Sequence, residues 1–121
     1  LLAHLKTRIV GRAHPGAHVL DFVERLHPTP AVAGSPRDEA LATIRALEPS
    51  HRGWYAGAVG WMRGDGLGDF TVGIRSAMIH DRRALLFAGA GIVAGSDPAS
   101  EWAETEVKLA VMREAIADAG R

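Results

Sequence analysis

The feature that most constrains this chain is the run Phe70-Thr71-Val72-Gly73-Ile74-Arg75-Ser76-Ala77-Met78-Ile79. Phe70, Val72, Ile74, Ser76 and Met78 would share one face. Thr71, Gly73, Arg75, Ala77 and Ile79 would share the other. That two-residue period belongs to a β-strand, because successive side chains of a strand point to opposite faces. The breaker-rich segment before it, Gly64-Asp65-Gly66-Leu67-Gly68-Asp69, reads as a hairpin loop. Residues 54–63, Gly- and Ala-rich between Trp54 and Trp61, read as the strand leading in. His80-Asp81-Arg82-Arg83 reads as the next turn, and residues 84–92 as a third strand ending in Ala88-Gly89-Ala90-Gly91-Ile92. The middle of the chain is thus expected to be an antiparallel meander.

The flanks read differently. Residues 3–10 alternate in part and predict a short strand. Pro15 and Gly16 predict the start of a helix to about Leu26, with Val19, Leu20, Val23 and Leu26 on one face. Pro28 and Pro30 argue against a helix across His27–Gly34. Ser35-Pro36-Arg37-Asp38 has the form of a helix start, with Ser35 as cap and Pro36 first in the helix. That helix should reach Leu47 and bury Ala40, Leu41, Ile44 and Leu47. Asp97-Pro98 opens a last helix with Gly120 as its stop, and Trp102, Thr105, Leu109, Met112 and Ile116 at helical spacing to pack on the sheet. The predicted class is α+β, an antiparallel sheet with packed helices.

Composition narrows the function classes. The chain has 121 residues, one domain or a piece of a larger one, with 47% hydrophobic and 23% charged residues. Lys+Arg and Asp+Glu are 14 each, so the basic excess usual in nucleic-acid proteins is absent. There is no Cys, which removes disulfides and thiolate metal sites. No apolar run reaches membrane-spanning length. The chain opens on Leu1 without a signal-peptide pattern, and a cytoplasmic protein is the expectation.

Three groups of residues carry possible chemistry. Glu101, Glu104 and Lys108 lie at i, i+3 and i+7, on one helical face. Two carboxylates one turn apart can meet a hard cation such as Mg²⁺; they also suit a solvated acidic first turn with a Glu104–Lys108 pair. Arg75 projects among small neighbours and could hold a carboxylate in a bidentate fork, or simply face solvent. Gly89-Ala90-Gly91 ends a strand where backbone N–H groups could approach an anion, or where the chain simply turns away. It does not match a dinucleotide fingerprint. His14 and His18 lack the carboxylate that would complete a zinc motif, and His51 and His80 fall in loops. No P-loop, nucleophile elbow or Cys nucleophile is present.

Taken in order, these residues carry a resemblance. Leu26-His27-Pro28-Thr29-Pro30-Ala31-Val32-Ala33-Gly34-Ser35-Pro36 comes first, followed by Gly57-Ala58-Val59-Gly60-Trp61, then Ile74-Arg75-Ser76-Ala77. Ala88-Gly89-Ala90-Gly91-Ile92-Val93 and Glu101-Trp102-x-Glu104-Thr105-x-x-Lys108-Leu109 complete the series. Together they resemble the C-terminal part of the chorismate-utilising enzymes: isochorismate synthases, salicylate synthases, and component I of anthranilate and aminodeoxychorismate synthases. The His-Pro-Thr-Pro-Ala block is most similar to isochorismate synthases of menaquinone and catecholate-siderophore pathways. Aminating members usually carry a Lys where Arg37 stands, and salicylate synthases usually a Thr where Ala31 stands.

The resemblance implies a fold and a site. Residues 1–121 would be the C-terminal portion of a chorismate-binding catalytic domain, part of the two-sheet, anthranilate synthase component I-like fold. The implied activity is Mg²⁺-dependent conversion of chorismate to isochorismate, in which a water replaces the 4-hydroxyl at the 2-position. The alternatives are salicylate synthase, anthranilate or aminodeoxychorismate synthase component I, or a non-catalytic α+β binding domain. Glu104 and Glu101 resemble the metal carboxylates. Tyr55 and Arg75 resemble the pair that binds a substrate carboxylate. Gly89, Ala90 and Gly91 resemble the backbone anion site, which Lys108 completes. His4 resembles an active-site His near the ring, and Ala31 marks a synthase rather than a lyase. The family's catalytic Lys base, its general-acid Glu and a further metal-binding Glu would all lie upstream of Leu1. The chain alone is therefore expected to be inactive and to expose apolar surface that the missing N-terminal part would meet.

Overall fold

The computed structural model describes residues 7–119. The elements run α1 (Val19–Leu26), α2 (Pro30–Ala33), α3 (Arg37–Leu47), β1 (Ala58–Met62), β2 (Gly68–Val72), β3 (Ser76–His80), β4 (Arg83–Phe87) and α4 (Pro98–Ala119). The class is α+β, as the residue patterns imply. The meander is not continuous. The strands form two separate antiparallel hairpins, β1–β2 and β3–β4. Ala58 faces Val72 and Met62 faces Gly68 in the first; Ser76 faces Phe87 and His80 faces Arg83 in the second.

The expected single strand over 70–79 breaks at Gly73-Ile74-Arg75. Backbone bonding explains the break. Gly73 donates to the Gly57 carbonyl at 2.8 Å and accepts from Ala56 N–H at 2.7 Å, which ends the β1–β2 ladder. Arg75 then takes a left-handed φ of 52°, which no strand interior adopts. The strand expected over 54–63 shortens to β1, because Tyr55 N–H turns back to the Arg52 carbonyl and Gly57 N–H to the Trp54 carbonyl. The strand expected over 84–92 ends at Phe87, so Ala88–Ile92 is irregular. Within β2 the alternation holds: Gly68, Phe70 and Val72 are half-buried and their neighbours exposed.

The helix ends also differ from expectation. α1 starts at Val19, with His18 as its cap: His18 Nδ1 accepts from Leu20 N–H at 3.1 Å and Asp21 Oδ2 from His18 N–H at 2.8 Å. This reciprocal arrangement satisfies orphan donors of the first turn. The His27–Gly34 block does contain a helix, the single turn α2, with Pro30 at its first position, where a missing N–H costs nothing. Ser35 does not cap α3. Pro36 stays extended (ψ 144°), the first helical residue is Arg37, and no side chain caps this end. The peptide bonds before Pro28 and Pro36 are cis. Gly34 takes φ 78°, and a methyl there would sit 2.7 Å from the Ala40 side chain, so α2 and α3 pack only with glycine between them.

Of the strand expected over residues 3–10, positions 7–10 are irregular, and the rest, with His4, lies outside the described residues, as does the Gly120 stop. Ala40, Leu41 and Ile44 are half-buried, whereas Leu47 is 77% exposed. On α4, Thr105, Leu109, Met112 and Ile116 are half-buried and α4 packs on β4, but Trp102 at the same spacing is 70% exposed.

The core is small. Ala33 and Ala56 are the buried hydrophobic residues among those described. A folded chain of 12.9 kDa would expose about 6,300 Å² by the usual surface scaling. This chain exposes 10381 Å². Trp54, Trp61, Met62, Ile79, Val107 and Val111 all stand open, each more than half exposed. The expectation of exposed apolar surface holds.

Candidate active site

A cleft of about 380 Å³ opens between the two hairpins, α2 and α4. Ala31, Tyr55, Arg75, Gly89, Ala90, Gly91 and Lys108 all line it, with Thr29, Val32, Arg52, Val72 and Ile74. Residues singled out from separate stretches of sequence thus converge on one space.

Each position follows from a local cause. Ala31 sits on the one-turn helix α2, and Arg37 of α3 ties down the chain leading into it: its guanidinium donates to the His27 carbonyl, at the end of α1, at 2.8 Å. Tyr55 is carried by the turn before β1 and stacks on Phe87 at the end of β4, rings 5.5 Å apart and 14° from parallel. Arg75 is not mid-strand. It stands at the break between β2 and β3, where its left-handed backbone sets the direction in which the chain leaves the first hairpin. Gly89–Gly91 follow β4 as irregular chain, off any strand ladder. A methyl on Gly89 would lie 2.8 Å from the Tyr55 hydroxyl, so a larger residue there would have to displace the phenol.

Lys108 ties α4 to that wall. Its Nζ donates to the Gly89 carbonyl at 2.8 Å and pairs with Glu104 Oε1 at 2.6 Å, with the lysine side chain only 14% exposed. Glu101 is held differently: its Oε1 accepts from Ser96 Oγ at 2.8 Å, and it lines a neighbouring groove with Ala90, Ile92 and Trp102. Glu101 and Glu104 therefore share a helical face, but the cleft that gathers the other site residues is lined by neither. Among the described residues no group of three or more His, Cys, Asp or Glu could hold a metal. Two carboxylates are hard oxygen donors, and Mg²⁺ is commonly bound by one or two of them plus substrate oxygens and water. The donor chemistry fits such an ion as a partial set.

Arg52 was not among the residues singled out, yet it lines the cleft. Nε and Nη2 meet both Glu48 carboxylate oxygens at 2.8 and 2.6 Å, and Nη1 donates to the Val32 carbonyl at 2.7 Å. Its guanidinium carbon lies 5.8 Å from the Tyr55 ring centre. The hydrogen bond from Arg52 holds the Glu48 carboxyl below its usual range, against the opposing effect of partial burial. The Glu48-x-x-x-Arg52 spacing gives no sufficient signal in the sequence, because the pair lies past the end of α3 rather than on a helix surface.

Comparison with known proteins accounts for this convergence. Residues 1–117 match the model of the chorismate binding enzyme family. This chain belongs to the chorismate-binding enzymes. It is 49% identical over 113 residues to isochorismate synthase MenF of Bacillus subtilis, covering 93% of this chain and 24% of that protein. It is 49% identical over 117 residues to the salicylate biosynthesis isochorismate synthase of Pseudomonas aeruginosa, covering 97% and 25%. A crystal structure of DhbC from Bacillus anthracis, described as a 2,3-dihydroxybenzoate-specific isochorismate synthase, superposes with a TM-score of 0.83 at 40% identity. That match covers 86% of this chain and 28% of that one. The chain spans about a quarter of the length of the relatives it matches.

Proposed function

We propose that residues 1–121 are the C-terminal portion of the catalytic domain of an isochorismate synthase, which interconverts chorismate and isochorismate. The observation that carries this reading is the cleft, where Tyr55, Arg75, Lys108 and the Gly89–Gly91 backbone meet. A dianionic substrate calls for these groups. Arg75 lines this cleft, and a guanidinium is suited to a carboxylate because it can meet both oxygens in a bidentate fork. The Tyr55 hydroxyl donates from the facing wall. Gly89, Ala90 and Gly91 offer N–H groups, and Lys108 keeps that segment against α4 while adding positive charge.

Glu104 and Glu101 would hold Mg²⁺. When bound, the ion supplies positive charge to the substrate's oxygens. In the overall reaction water oxygen bonds to ring carbon 2, the ring double bonds shift, and the 4-hydroxyl leaves as water, so the formula is unchanged. The part of this chain is to bind and orient the ring. His4 would stand near it. The proton-transfer groups belong to a preceding part of the same polypeptide, which would also cover the exposed apolar surface. Ala31 brings only a methyl to the cleft, which supports a synthase over a lyase. Among the described residues no helix is long and apolar enough to cross a membrane.

The test is to incubate the full-length protein with chorismate and Mg²⁺ and separate the products by chromatography. Isochorismate is expected. Salicylate with pyruvate would transfer the protein to the lyases. Anthranilate or aminodeoxychorismate, formed with ammonia, would transfer it to the aminating members. No product would overturn the reading.

A further inference from the structure

We propose that Arg52 is a positioning residue for this cleft, the brace that fixes the Tyr55 phenol relative to the α2 turn carrying Ala31. The inference rests on the reading of the cleft as a carboxylate-binding site. Three contacts carry it. Arg52 Nη1 donates to the Val32 carbonyl at 2.7 Å, which holds the α2 backbone next to Ala31. Its guanidinium lies 5.8 Å from the Tyr55 ring centre, and Tyr55 N–H donates to the Arg52 carbonyl at 2.9 Å. Glu48, just past the end of α3, accepts from Nε and Nη2 in a bidentate pair at 2.8 and 2.6 Å.

The guanidinium therefore serves three partners at once: two donors go to the carboxylate, one to the carbonyl, and its carbon lies over the phenol ring. Only a rigid planar fork fills all of these at once; a lysine ammonium is a single point on a flexible stem. Glu48 anchors the fork, the fork anchors α2, and the guanidinium over the ring limits where the phenol can move. Phe87 stacks on that phenol. Arg52 touches no reacting atom in this scheme. It acts through Tyr55.

The experiment uses the full-length protein with chorismate and Mg²⁺. Steady-state kinetics would compare the wild type with Arg52→Lys, Tyr55→Phe and the double variant. A hydrogen bond to a charged group supports a rise in KM of about 10- to 100-fold when its donor is mispositioned. Arg52→Lys should raise KM in that range with a smaller change in kcat, as expected for lost ground-state binding. In the Tyr55→Phe background the same change should cost less than about threefold, because the hydroxyl it positions is already gone. Hydrogen exchange would follow amides 29–34 and 54–57 in parallel, and both segments should exchange faster in Arg52→Lys. An equal KM penalty in both backgrounds, or an unchanged KM, would overturn the proposal. A wild type with no turnover of chorismate would overturn the functional reading instead. The exchange data would then decide the brace alone: faster exchange in both segments upholds it, and unchanged exchange defeats it.

Discussion

Glu104→Gln separates a metal ligand from an ordinary helix-surface charge. Glu104 pairs with Lys108 at 2.6 Å across one helical turn, with its own side chain 37% exposed. A pair of that geometry is worth about 0.2–0.5 kcal/mol to a helix. Lys108 keeps its 2.8 Å bond to the Gly89 carbonyl when the charge on Glu104 is removed, so no cation is stranded. The near-isosteric amide should therefore lower the melting temperature of the metal-free, full-length protein by about 2 °C or less. Activity should respond on another scale. Charge stabilisation by a bound cation is worth several kcal/mol, and each 1.36 kcal/mol is tenfold in rate, so loss of a carboxylate ligand predicts a fall of about 100-fold or more. The assay is turnover of chorismate against Mg²⁺ concentration for wild type and variant, with a parallel melt. Superimposable curves would refute the reasoning and leave Glu104 as a partner of Lys108 alone.

Other outcomes follow from the same geometry. Gly89→Ala would place a methyl 2.8 Å from the Tyr55 hydroxyl and should raise the KM for chorismate while circular dichroism stays unchanged; an unaltered KM would show that the phenol moves aside freely. Ala31→Thr brings a hydroxyl to the cleft wall and should let the full-length protein release salicylate and pyruvate; a product mixture identical to wild type would count against a role for this position. The Glu48 carboxyl is depressed by its bond from Arg52, so its stabilising effect is present above the ordinary value of 4.5 and is lost as pH falls through the lower, folded value. Melting temperature between pH 3 and 6 should accordingly fall less steeply in Glu48→Gln than in wild type, and parallel profiles would deny the effect. The 121-residue chain by itself should not turn over chorismate, because the acid and base that each contribute about 10²–10⁴-fold are expected elsewhere in the polypeptide; measurable isochorismate from the fragment would contradict this.

Much of this organisation was legible in residue spacing, and its failures have physical reasons. The alternation of Phe70 to Ile79 located the strands but not the break between them. Gly73 bonds back to Gly57 and Ala56, and Arg75 turns left-handed, neither of which leaves a mark on side-chain periodicity. Helix spacing found α1, α3 and α4, whereas their starts depended on caps. Ser35 was the better-looking cap for α3, but Pro36 remained extended and put Ser35 one residue too far away. At His18 the imidazole does what Ser or Asp usually does, accepting from Leu20. The site followed the same division. Residues with distinctive chemistry (Arg75, the Gly89–Gly91 run, Lys108) could be named in advance. Arg52 could not, because nothing in a Glu-x-x-x-Arg spacing reveals that the arginine also reaches the Val32 carbonyl, a contact made across 20 residues.

The exposed apolar surface and the wetness of the cleft belong together. Arg75 is exposed, and a guanidinium in water interacts with a carboxylate through a high dielectric that leaves only about 1 kcal/mol at 4 Å. Around it, α4 is apolar on more than one face: Leu109, Met112 and Ile116 are half-buried, while Trp102, Val107 and Val111 stand exposed. A helix with apolar residues on more than one face is one that packs on more than one side. Trp54, just before Tyr55 in the chain, is 87% exposed as well. A layer packed on those side chains would exclude water near the helix and the turn that carry Lys108 and Tyr55. The same contact would lower the local dielectric around Arg75 and Lys108, and so strengthen each bond to a dianionic substrate. On the proposed reading, burial of this surface and tight binding in the cleft would then be coupled, and affinity for a dianion would rise with the area covered.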